Sequence, residues 1–255
     1  MANVTGCNFK NSNTSFGVIT ISGWTNPKMN VTGSTFEDNY ASVEPGAINN
    51  CNNLIVMDSI FKRNTASWWA GAIHTHNNAK TKIYDSTFED NVAGWNGGAL
   101  FTYSNLEVYD STFISNQATG FGGAIGACDN VSHFNITVDN CTFIDCVAKG
   151  TKNAGAIYMG VNGKPATNPV ISNCVIVNCT NGERGTINIF GINATLENIT
   201  FANMSKVATS NRGFHAIEFE KLTTGRVINC TFENIGGSYE AGAIKVDSGS
   251  DIVIA

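Results

Sequence analysis

Apolar residues along this chain fall into register once the sequence is cut into copies of 25 to 33 residues. Nine copies each carry an apolar residue five positions ahead of an aromatic anchor: Val4, Val31, Val56, Ile83, Val108, Val138, Ile171, Leu196 and Val227. The anchor column runs Phe9, Phe36, Phe61, Phe88, Phe113 and Phe143, softens to Ile176, and returns as Phe201 and Phe232. A third column reads Ile19, Ile48, Ile73, Leu100, Ile125, Ile157, Ile187, Ile217 and Ile244, with Ala before it in most copies. Between these anchors are only short runs, and no stretch shows apolar residues at i, i+3, i+4 and i+7, so the pattern predicts strands and no helix. A period of this length marks stacked units that cannot bury an apolar face alone.

The copies are too short for a four-stranded propeller blade and lack the leucine ladder of a leucine-rich repeat. The fold class that remains is all-β: a parallel β-helix of about nine rungs, forming one domain over residues 1–255. Strands of successive rungs then pair about 4.8 Å apart, giving a rod roughly 43 Å long in which like residues stack on like.

The polar positions fit the same picture. Three residues before the anchor stand Gly6, Gly33, Asp58, Asp85, Asp110, Asn140, Asn173, Asn198 and Asn229, all types that tolerate turns and left-handed backbone. Three residues after it come Asn39, Asn64, Asn91 and Asn116, then Cys146 and Cys179. Stacked Asn residues can hydrogen-bond their amides along the stack. Glu37, Lys62 and Glu89, with Asp38, Arg63 and Asp90 beside them, alternate in sign from rung to rung. That reads as a solvated face whose opposite charges favour correct stacking.

Composition narrows the partners. Net charge is −5, Lys and Arg are scattered, and charged residues make up only 14%, which argues against nucleic acid. No 18-residue apolar run is present. The chain ends in an apolar strand-like run, Asp251 to Ala255, which suggests a piece of a longer protein with any membrane attachment in regions outside it. Of the eight cysteines, Cys7, Cys141, Cys174 and Cys230 share a column with Ser34, Ser59, Ser86 and Ser111, as a small buried site would. Cys141 with Cys174, and Cys146 with Cys179, lie on adjacent rungs at a spacing where disulfides are possible. Sequons such as Asn3-Val4-Thr5, Asn30-Val31-Thr32 and one at 130–132 suit an exported protein.

The pairing of F-x-x-N with G-G-A-hydrophobic is specific, as in Phe61 to Asn64, Phe88 to Asn91, Phe113 to Asn116, Gly97 to Leu100 and Gly122 to Ile125. It resembles the repeats of chlamydial polymorphic outer-membrane proteins and, more closely, of adhesin-like surface proteins of methanogenic archaea. The resemblance is sharpest over about residues 29–160. It implies a right-handed, pectin-lyase-like β-helix at the cell surface, an adhesive role, and no catalytic residues.

Three clusters are candidates for chemistry or binding. Trp68, Trp69, Trp95 and Phe121 lie in equivalent loops of three consecutive copies. They either make a ribbon of ring faces for sugars or a partner's apolar side chains, or fold over the rod and close a local core. Asp58, Asp85 and Asp110 stack three carboxylates in the turn column, which either hold Ca²⁺ or merely fill turns. His74 and His76 share one face of a strand and could share a metal. A third ligand is not evident from the sequence, and two outward polar residues is the simpler account. Lys221/Arg226 and Glu183/Arg184 read as surface charge, and His133 and His215 as isolated.

The expectation is a non-enzymatic extracellular adhesin with no required cofactor, binding a glycan or protein of a partner cell through loops. The alternatives are a polysaccharide lyase or glycoside hydrolase on the same fold, using the Asp column as acid, base or metal ligand, or a purely structural spacer.

Overall fold

The computed structural model describes residues 1–23, 26–129, 135–150, 154–161, 168–180, 184–204, 214–221, 223–236 and 242–255. His133, Glu183 and the sequon at 130–132 lie outside the described residues. The described strands pair in parallel, each with its counterpart one rung away. They assemble into sheets of ten, nine, nine and six strands. The result is an all-β parallel β-helix of about nine rungs, consistent with the right-handed form. Among the described residues every regular element is a strand, and no helix is long and apolar enough to cross a membrane.

All three apolar columns hold their register. Val31 pairs with Val56, Phe61 with Phe88, and Ile73 with Leu100. From Phe9 to Phe143 the rings stack face to face with centroids 4.8–4.9 Å apart, matching the rung spacing. Phe36, Phe61, Phe88, Phe113 and Phe143 are fully buried. At Ile176 the stack changes to aliphatic without a change of register.

Two left-handed corners flank each three-residue phenylalanine strand. The turn column has φ of 48–61° from Gly6 to Asn229, as its Gly, Asp and Asn content predicts. A second such column follows two residues after the anchor. It runs through Asn11, Asp38, Arg63, Asp90, Ser115, Asp145, Asn178, Asn203 and Asn234 at φ of 50–56°. Arg63 and Ser115 adopt a conformation unusual for their types.

The residue after each corner turns inward and ties rung to rung. Ser34 N–H donates to Ser59 Oγ at 3.2 Å, and Ser59 Oγ–H donates to Met57 O at 2.7 Å. The Asn column forms the expected ladder: Asn39 Nδ2 to Asn64 Oδ1 at 2.9 Å, then Asn64 to Asn91 and Asn91 to Asn116 at 3.0 Å each. Where the column becomes cysteine, Cys146 N–H donates to Cys179 Sγ at 3.4 Å. All eight cysteines are free thiols.

The outer charges pair between rungs. Lys10 meets Glu37 at 2.5 Å, Arg63 meets Asp38 at 2.7 Å, and Lys62 meets Glu89 at 2.7 Å. Hydrogen bonds from Lys10 and then Arg63 hold the Glu37 carboxyl below the ordinary carboxylate range. These groups are solvated, and salt screens them. Arg63→Gln is therefore expected to leave the urea midpoint nearly unchanged, with any small loss vanishing at high salt; a large, salt-independent loss would contradict a solvated role.

Candidate functional site

The four loop aromatics sort into two positions. Trp68 and Trp95 fall seven residues after their anchors, Trp69 and Phe121 eight after theirs, and the chain bends through these loops after the strands end at Ala66 and Ala93. Trp68 and Trp95 project outward, 45% and 49% exposed. Their rings stack at 5.5 Å and 21°, locked by a Trp95 N–H to Trp68 O bond of 2.7 Å. The next residue in this column is Gly120, whose missing side chain ends the stack; a Cβ there would lie 2.7 Å from Trp95 Cδ1. A shallow groove of about 260 Å³ opens beside Trp95, lined also by Gly94, Thr119 and Gly120.

Trp69 and Phe121 turn onto the rod. Trp69 packs against Phe101 at 6.2 Å, Tyr103 at 6.3 Å and His74 at 5.9 Å. Phe121 stacks on Tyr158 at 4.3 Å. The strip thus splits into an outward pair and two rings laid on the rod, with Trp69 closing a satellite core of His74, Phe101 and Tyr103.

That satellite core corrects the reading of His74 and His76 as two outward polar residues. His74 does point away from the rod axis, since Ile73 beside it joins the core, but the aromatic roof leaves it 0% exposed. His76 is half-buried, with its ring 4.1 Å from that of His74. The third group, which the sequence did not reveal, is Glu44. Its Oε2 lies 3.2 Å from His74 Nδ1 and 3.1 Å from His76 Nε2. Asn49 Oδ1 sits 2.7 Å from His76 Nε2.

Burial works against the Glu44 charge, but the hydrogen bonds with His74 and His76 outweigh it and hold the carboxyl down at about 2. Burial pushes His74 below the ordinary imidazole range despite its bond to Glu44. His74 Nε2 is buried without a hydrogen-bond partner. A signal for Glu44 existed: Glu44, Trp69, Asn96 and Phe121 all stand two residues before the column glycines Gly46, Gly71, Gly98 and Gly123. Glu44 therefore lies one rung from Trp69 and under the same roof.

Asp58, Asp85 and Asp110 occupy a row of exposed left-handed turns, and Asp110 accepts a 2.6 Å hydrogen bond from Asn140. Among the described residues, the group of three His, Cys, Asp or Glu donor atoms that comes within 4.8 Å is Glu44, His74 and His76. Arg184 corrects another reading. It is not free surface charge but pairs at 2.9 Å with Glu220, both largely shielded from solvent. Lys221 lies 5.0 Å over the Phe190 ring.

Comparison with known proteins agrees with the repeat pattern. Residues 85–103 and 110–127 match the Chlamydia polymorphic membrane protein repeat. No curated protein and no solved structure matched the chain. The matched segments carry Phe88, Asn91, Trp95 and Gly97 to Leu100 of one rung, and Phe113, Asn116 and Gly122 to Ile125 of the next. The similarity therefore rests on the structural columns and on the rung holding one of the two outward tryptophans.

Proposed function

We propose that this chain is a non-enzymatic, extracellular adhesin of the cell surface that binds a glycan or protein of a partner cell through Trp68 and Trp95. The observation that carries the proposal is the stacked, outward indole pair. Exposed tryptophans with nothing to cover them are uncommon on a soluble surface, and aromatic anchors are enriched where partners bind. Held by the rung ladder, they present a rigid apolar step at little entropic cost on binding. The adjoining groove suits a sugar ring or an apolar side chain laid against Trp95. Similarity to a membrane-protein repeat and the likeness to archaeal adhesin-like repeats support a place at the cell surface. The reading needs no cofactor and no nucleic acid.

The test is binding of the purified chain to a glycan array and to whole cells, with and without Trp68→Ala plus Trp95→Ala. The double variant is expected to abolish binding while lowering the melting temperature by less than about 4 °C, the shift that 1 kcal/mol produces in a chain of this size. Unchanged binding by the double variant would place the binding surface elsewhere and overturn the role of the tryptophans; no binding by the wild-type chain would favour the spacer. Release of reducing sugar from polygalacturonate by the wild-type chain would favour the lyase or hydrolase reading.

A further inference from the structure

The satellite core holds a second constellation, independent of the outward tryptophans. We propose that Glu44, His74 and His76 form a binding site for a divalent transition-metal ion such as Zn²⁺, through two imidazole nitrogens and one carboxylate oxygen. The strand Ile73–Thr75 and the residue after it supply the imidazoles; the strand Tyr40–Glu44 of the preceding rung supplies the carboxylate.

Geometry is the first support. Metal–ligand bonds of about 2.1 Å at tetrahedral or octahedral angles place neighbouring donor atoms about 3.0–3.4 Å apart. Glu44 Oε2 stands 3.2 Å from His74 Nδ1 and 3.1 Å from His76 Nε2. The two nitrogens lie within 4.8 Å of each other, so a small turn of the half-buried His76 closes the third edge. Asn49 Oδ1, 2.7 Å from His76 Nε2, is a further oxygen within reach. Two imidazoles and a carboxylate on one side of an ion leave positions open on the other, a donor set suited to Zn²⁺, Ni²⁺ or Fe²⁺ rather than Ca²⁺.

Charge is the second support. Among the described residues three glutamates are shielded from water, and two of them have a cationic partner: Glu218 meets Lys245 at 2.8 Å and Glu220 meets Arg184 at 2.9 Å. Glu44, 9% exposed, forms its ion pairs among the described residues with the imidazoles alone. A buried carboxylate is costly unless a cation answers it, and a divalent ion would do so at this position.

Preorganisation is the third. Trp69, Phe101 and Tyr103 fix the His74 ring by packing. Its Nε2 makes no hydrogen bond, so this packing and the Nδ1 contact with Glu44 at 3.2 Å are what orient the ring. A bound ion would clasp two rungs directly beneath the loop that carries Trp68 and Trp69.

The experiment is calorimetric titration of the EDTA-treated, dialysed chain with Zn²⁺, together with the visible spectrum of the Co²⁺-loaded chain. One ion per chain is expected, with Co²⁺ bands of a nitrogen–oxygen site and a melting temperature that rises with Zn²⁺. His76→Ala, on the solvent side of the cluster, and Glu44→Gln are each expected to weaken Zn²⁺ binding by more than the roughly 100-fold that loss of a supporting residue costs. Asp85→Asn, in the exposed turn row, is expected to bind as the wild type does. Absence of heat, bands and thermal shift with Zn²⁺, Ni²⁺ and Co²⁺ would overturn the proposal. So would undiminished binding by a folded His76→Ala chain. Loss of the ion with glycan or cell binding retained would leave the adhesive reading standing, and the converse would leave this one.

Discussion

Asn91→Ala is expected to destabilise the rod by about 4 kcal/mol, the sum of two or three buried polar groups losing their partners at about 1–3 kcal/mol each. Asn91 is fully buried. Its Oδ1 accepts from the Asn64 backbone N–H at 3.0 Å and from Asn64 Nδ2 at 3.0 Å. Its Nδ2 donates to Phe61 O at 2.9 Å and to Asn116 Oδ1 at 3.0 Å. Alanine removes all four bonds and leaves the Asn64 N–H and the Phe61 carbonyl without this side-chain partner. Asn91→Cys is expected to lose about half as much, because the column already uses cysteine. There Cys146 N–H donates to Cys179 Sγ at 3.4 Å and Cys146 Sγ contacts Phe113 O at 3.6 Å, weaker versions of the same links. Urea unfolding of the three chains checks the order. Equal stability for the Ala and wild-type chains would mean that the ladder merely accompanies the stack.

The ladder also explains why so much of the fold was legible in the sequence. In a solenoid, a residue's main neighbours are its equivalents one period away, so a column read down the aligned copies is a list of contacts. The Phe36–Phe61–Phe88 stack, the Asn39–Asn116 ladder and the positive φ of Asp58, Asp85 and Asp110 all follow from like lying on like. Arg63 and Ser115 hid the second left-handed corner, because neither residue type announces one. Contacts between unlike columns were hidden for a different reason. Glu44 meets His74 and His76 across a rung boundary and between two columns, a relation that no single column displays. Trp68 and Trp69 look equivalent in sequence, yet one faces water and the other roofs His74. The bend over residues 67–69 separates them, and it becomes visible only once the loop has a backbone. Function suffers most from this limit, because both candidate sites are places where the repeat departs from itself.

Gly98→Ala is expected to be the most damaging small substitution in the rod, costing more than about 4 kcal/mol, the level that marks an exceptional mutation. A Cβ on Gly98 would stand 1.9 Å from Gly123 O, 2.6 Å from Gln117 N and 2.7 Å from Gln117 C. All three atoms are backbone of the next rung, so no rotamer change relieves the overlap. Phe88 and Phe113 fix the separation of these two rungs by ring contact at 4.9 Å, and the Asn91–Asn116 bond fixes it at the adjoining corner. Making room therefore means pulling apart contacts on other sheets, which is why one methyl group is expected to act like a lost rung. The sequence keeps glycine at the equivalent positions Gly46, Gly71, Gly123 and Gly155, where a Cβ would come within 2.1–2.7 Å of a neighbouring carbonyl oxygen. Gly236 supplies the control: a Cβ there meets nothing within 4 Å, so Gly236→Ala is expected to leave stability within about 0.5 kcal/mol of wild type. Denaturant unfolding with far-UV circular dichroism measures both variants. A Gly98→Ala chain as stable as Gly236→Ala would show that neighbouring rungs slide past one another freely, and would remove the rigidity on which the Trp68–Trp95 display depends.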